Sequence, residues 1–206
     1  MRKIIQALLS LIVIGCFYSA ELKAQDSLWL LNGNVLEIKF VNFSGIGLNY
    51  SEQYRGKTAY RSRDFNTIFS YKLKGKEETV IYKPEEGETK YSVGDMRLYM
   101  RGLRQADQYY HSRATNYIGL AAGVGVGYLL ANDESPVLFA MPVVYSGIVL
   151  ATGVKIKKNA LNKDLLTNGP YREGYKKVAK GKKVFGALKY NLLGTLASFA
   201  LFKALE

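Results

Sequence analysis

The sequence predicts an α+β chain: a small antiparallel β sheet or barrel with a capping helix, then a glycine-rich apolar helical hairpin and a third, C-terminal apolar helix. Three observations predict it. Residues 27–82 alternate apolar and polar side chains between tight turns, the period-two pattern of half-buried strands. Residues 92–112 switch to helical spacing. Beyond them, three long stretches carry almost no charge. The resulting division is a leader (1–25), a small β domain (26–91), an amphipathic helix (92–112), an apolar hairpin (113–156), a basic connector (157–183) and an apolar helix (184–206).

Residues 1–25 have the three parts of an export signal. Arg2 and Lys3 are the positive start, Ile4 to Ile14 are apolar apart from Gln6 and Ser10, and Ala20 or Ala24 is the last residue removed. An uncleaved anchor is the alternative, but the stretch is shorter than the roughly 20 residues of a comfortable span. Val13-Ile14-Gly15-Cys16 has the shape of a lipobox, which would make Cys16 a lipidation site. Phe17 and Tyr18 then stand where a polar tether is usual, and the plainer reading leaves Cys16 as an apolar residue of the leader. Without Cys16 the mature chain has no cysteine, which excludes disulfides and thiolate chemistry. The leader predicts an exported protein of the cell envelope, on the periplasmic side of an inner or outer membrane.

In the β domain, 27–31 leads through Asn32-Gly33-Asn34, a hairpin signal, into 35–43, where Leu36, Ile38 and Phe40 share one face. Residues 48–51, 58–63, 65–73 and 79–82 read as further strands, separated by glycine-bearing turns. Five or six short strands imply an antiparallel sheet or barrel. Ser92 with Asp95 then fits a capping box, with Asp for the usual Glu. Met96, Tyr99 or Met100, Leu103, Ala106 and Tyr110 recur at helical spacing, predicting a helix laid over the open end of the sheet.

The second half changes character. Residues 114–132 and 135–154 are uncharged, and 184–202 is interrupted by Lys189 and Asn191. Gly119, Gly123 and Gly127 recur every four residues. On a helix they form a strip that admits another helix closely, the means by which helices associate in lipid; a tight pair in a soluble core is the alternative. The run lacks the lysine and hydroxyl of a phosphate-binding loop and misses the dinucleotide fingerprint. Gly186, Gly194 and Ser198 mark a weaker strip. Between the apolar stretches the connector is strongly basic, and Asn168-Gly169-Pro170 predicts two short helical pieces within it.

The chain carries a net charge of +12, which suits anionic lipid, nucleic acid or acidic polysaccharide. Export removes nucleic acid. Lys176, Lys177, Lys180, Lys182 and Lys183 are the candidate contacts to anionic headgroups, and Tyr171 and Tyr175 beside them mark either an interfacial belt or ordinary helix packing. A full crossing of an inner membrane by the hairpin conflicts with the charge pattern, because an exported β domain would leave the basic connector outside. A partly soluble packed unit, a dip into the membrane from the periplasmic side, or an outer-membrane location all avoid the conflict.

The residues of catalysis are missing. His111 is the only histidine, so no zinc site forms around it. No nucleophile elbow or serine–lysine pair is present, and the carboxylate clusters 77–78 and 85–88 fall in turns. No catalytic, metal or cofactor residue is assigned.

Asp26-Ser27-Leu28-Trp29-Leu30-Leu31-Asn32-Gly33, followed by Val35-Leu36-Glu37-Ile38, resembles the opening of small secreted proteins of the Bacteroidetes. Asp64-Phe65-Asn66-Thr67-Ile68-Phe69-Ser70-Tyr71, with Val80-Ile81-Tyr82 after a glycine turn, is similar to their closing strands. Ala24-Gln25-Asp26 is similar to their cleavage junction, and Ala106-Asp107-Gln108-Tyr109-Tyr110 and Gly174-Tyr175-Lys176-Lys177 to their later segments. The resemblance covers most of the chain. It implies an exported location and this two-part architecture, and carries over no active site.

The function this predicts is non-enzymatic. The chain would be a membrane-associated envelope protein whose β domain binds a partner and whose apolar helices anchor or oligomerise it. A self-assembling or pore-like protein, joined through the glycine strip, is the first rival. A soluble periplasmic protein or enzyme with an unrecognised site is the second. The partners implied are anionic lipid and either a second copy or another envelope protein.

Overall fold

A computed structural model describes residues 26–84, 91–132, 135–156 and 163–205. The leader with Cys16, the acidic segment 85–90, Asp133-Glu134 and 157–162 of the connector lie outside the described residues. The chain is α+β, with an N-terminal antiparallel sheet followed by helices.

The six strands are β1 (Asp26–Leu30), β2 (Val35–Ser44), β3 (Gly47–Tyr54), β4 (Lys57–Asp64), β5 (Ile68–Lys72) and β6 (Glu78–Val80). Their order is β4-β3-β2-β1-β5-β6, so the sheet is open, with β4 and β6 at its edges. Between β4 and β5 a 3-10 turn, Phe65–Thr67, carries the chain across to the far side of β1. Leu28, Leu30, Ile38, Leu48, Tyr50 and Ile68 form one buried cluster, which runs across the neighbouring strands β3, β2, β1 and β5. Asp26 clamps the start of β1: its carboxylate accepts from the backbone N–H of Phe40 (2.9 Å) and of Lys74 (2.8 Å).

Helix α1 (Val93–Tyr109) opens where the capping signal lies, with Ser92 Oγ accepting from the Asp95 N–H. Its partner differs from the expectation. It touches the sheet along a narrow seam and packs mainly on a long C-terminal helix, α4 (Gly169–Leu205). The reason is a pair of glycines. A side chain at Gly102 would collide with the Tyr171 carbonyl, and one at Gly174 with the Tyr99 carbonyl. The two backbones therefore touch. At the seam, Gly33 (φ 87°) has no room for a side chain against Leu103 Cβ and the Met100 carbonyl. It serves both the turn and the helix contact.

Helices α2 (Arg113–Asn132) and α3 (Met141–Ala151) follow, α3 being preceded by a 3-10 turn, Pro136–Ala140. The second turns back along the first, the Tyr145 hydroxyl donating to the Thr115 carbonyl at 3.2 Å, and both pack chiefly on α4. The predicted boundary between connector and third apolar helix is absent: residues 169–205 are one helix of 37 residues, about 55 Å long. Asn168 does not break this helix but starts it, its side chain accepting from the Tyr171 N–H. Pro170 in the first turn supplies a φ already suited to the helix.

Candidate functional site: an apolar helical tip and a basic collar

The glycine strip lies against α4 of the same chain. Side chains built at Gly119, Gly123 and Gly127 would meet, in turn, the carbonyl oxygens of Ala187, Asn191 and Thr195. Both series ascend, so α2 and α4 run parallel. The weaker strip is the other half of the contact: Gly194 meets the Leu120 carbonyl, and Ser198 Oγ donates to the Val124 carbonyl at 2.8 Å. Asn191 Nδ2 donates to the Gly119 carbonyl at 3.2 Å. The strip is thus filled from within the chain, which leaves it no open face for a second copy.

The outer surface of this region is apolar. Ile118 is 61% exposed, Val143 67% and Leu196 64%. Val124, Leu129, Val144, Ile148, Phe185, Leu193 and Leu201 are also exposed. The interior holds mostly small or polar residues, Gly119, Gly123, Gly127, Ala187, Asn191, Gly194, Thr195 and Ser198, with Leu130 and Val149 the large aliphatic exceptions. A water-soluble bundle has the opposite arrangement. Small and hydroxylated residues inside, with large aliphatic ones outside, is the pattern of helices packed in lipid. Helices α2 and α4 are each long and apolar enough to cross a membrane, and only 28% of each apolar window is buried. A core helix of a soluble protein would be mostly buried.

Charge is segregated along α4. Among the described residues of 114–132, 135–154 and 184–202, Lys189 is the sole charged one. Below this tip, the exposed Lys155, Arg172, Lys176, Lys177 and Lys180 form a basic collar on the side of the sheet. Two of the five predicted headgroup lysines are differently employed. Lys182 pairs with Asp107 of α1 (Nζ–Oδ1 3.0 Å). Lys183 donates to Thr152 Oγ1 (2.7 Å) and to the Gly153 carbonyl (2.9 Å), closing the C-terminal end of α3 as cations do at helix ends. Lys177 stands over the Tyr99 ring, 5.9 Å from its centroid.

Tyr171 and Tyr175 are not an interfacial belt. Both are fully buried, in a cluster with Ala106, Tyr110 and Ala179 that joins α1 to α4. The Tyr171 hydroxyl donates to Gln105 Oε1 at 2.5 Å. Burial pushes the Tyr175 phenol up to about 12, with the neighbouring Tyr171 and Tyr110 adding to the shift. The cluster lies on α4 directly before its apolar stretch. His111 is exposed in the short break between α1 and α2.

Sequence reasoning missed the Gly102–Gly174 crossing and the tie of Lys182 to Asp107. The crossing left a signal: Gly102 stands in the middle of an otherwise strong amphipathic helix pattern, where it costs about 1 kcal/mol relative to alanine. No protein-family model, curated protein or solved structure matches this chain.

Proposed function

We propose that this is a non-enzymatic membrane protein of the cell envelope, with its helical tip embedded in the bilayer and its β domain held at the surface as a binding module. The observation that carries this reading is the inverted polarity of the tip. Nineteen residues of α2 (114–132) and nineteen of α4 (184–202) each rise about 28 Å, close to the roughly 30 Å hydrocarbon core. Being parallel, α2 and α4 cross in the same direction, and the segment 136–151 returns between them. The sheet, α1 and the collar then share one face of the membrane, where lysines meet anionic headgroups.

The leader puts that face in the periplasm. At an inner membrane this inverts the usual distribution of lysine and arginine, whereas insertion into an outer membrane is not governed by that rule. Fractionation of native cells, with the two membranes separated and each washed in alkaline carbonate, tests the proposal. Retention in a washed pellet is the expected result, and the fraction holding the protein names the membrane. Release into the supernatant would overturn the embedding.

A further inference from the structure

The seam between the sheet and α1 encloses a cavity of about 210 Å³. Trp29 of β1 and Met100 of α1 are among its apolar walls, and Arg97, Arg101 and Arg104 line it. These arginines are not equivalent. Arg97 is neutralised: its Nη1 and Nη2 donate to Glu78 Oε2 (2.9 Å) and Oε1 (3.1 Å). Arg101 and Arg104, one helical turn apart, have no carboxylate partner among the described residues. Among the described residues, Glu78 is engaged by Arg97 and Asp107 by Lys182.

The volume limits the occupant, being below the few hundred Å³ of pockets for drug-sized molecules.

We propose that this seam binds a small planar carboxylate: a ring against Trp29 and Met100, with its carboxylate taken by Arg101 and Arg104. Guanidinium groups suit this role because their N–H donors match the two carboxylate oxygens. The proposal rests on the reading of the β domain as a binding module and identifies its ligand class and site. Trp29 is the only tryptophan of the chain, so its fluorescence reports on the cavity directly.

The full-length protein, purified in detergent, is titrated with benzoate, with benzamide (the same shape without the charge), and with acetate (the charge without the ring). A saturable change in Trp29 fluorescence is expected with benzoate. Its affinity should fall about tenfold or more for benzamide and in R101A/R104A, the loss expected for charge-assisted hydrogen bonds. Both arginines are exposed, and circular dichroism of the variant verifies its fold. R101K/R104K, which keeps the charge without the fork, should bind more weakly than wild type. No saturable response, equal binding of benzamide, or unchanged binding by R101A/R104A would overturn the proposal. Because the titration does not depend on where the tip resides, a silent Trp29 in a carbonate-resistant protein sinks the ligand site and leaves the embedding intact.

Discussion

Gly123 of α2 lies so close to the carbonyl oxygen of Asn191 in α4 that no side chain fits between them. This contact, repeated at Gly119 and Gly127, fixes α2 and α4 as a parallel pair and turns their large side chains outward.

The pair makes Gly123 and Gly125 a matched test. Leucine at Gly123 must separate the helices, whereas Gly125 faces open space. Thermal unfolding in detergent should show G123L destabilised by at least the ~1–3 kcal/mol of an overpacked core, and G125L nearly unchanged. Equal effects would mean that the strip is not the packing surface.

The collar and the two tied lysines should separate by phenotype. Replacing Lys176, Lys177 and Lys180 with alanine should weaken retention of phosphatidylglycerol relative to phosphatidylcholine, read by native mass spectrometry. The scale is about 1 kcal/mol per lysine near a charged surface. K182A and K183A should instead lower the melting temperature, since their partners are Asp107 and the end of α3.

Acid should loosen the seam. Partial burial raises the Glu78 carboxyl, but hydrogen bonds from Arg97 and Ser70 and the charges of Arg97 and Lys72 more than reverse this, leaving it below the ordinary glutamate value of 4.5. A depressed carboxylate stabilises the folded state above its unfolded pKa, and the contribution is lost as pH falls through the folded value. Hydrogen exchange of α1 should therefore rise below about pH 4.5. E78Q should flatten that dependence, and an unchanged pH profile would show that the pair does not hold α1.

Alkali should act on the opposite end of α1. The Tyr175 phenol is raised from 10.0 to about 12. A raised pKa means that the stabilisation is complete below the unfolded value and is lost as pH climbs through the folded one. Tyrosinate absorbance should show a late-titrating group, and α1 should detach from α4 between pH 10 and about 12. Y175F should remove that step. Its persistence in Y175F would assign it elsewhere.

Much of this molecule was legible before its fold. Strand alternation around Leu36, Ile38 and Phe40, the Ser92 cap and the Gly119–Gly123–Gly127 spacing each depend on residues a few positions apart. Such signals report which face of an element is special. They do not report what covers it. The strip therefore suits self-association as readily as packing on α4, and the amphipathic pattern of α1 suits the sheet as readily as α4, against which Gly102 and Gly174 hold it. Lys182 and Lys183 were indistinguishable from Lys180 by composition, because their partners Asp107, Thr152 and Gly153 lie far away in the chain.

By itself, then, the sequence determined the α+β class, the strands, the cap and the uncharged lengths that match a bilayer, because period, turn chemistry and charge are local. Only the tertiary structure decided that α2 and α4 are parallel, that the connector and the last apolar stretch are one helix, and that Arg101 and Arg104 line a cavity with no carboxylate partner among the described residues. Those features arise from contacts between segments some seventy residues apart, where backbone approach and paired charges select one arrangement among many that the same pattern allows.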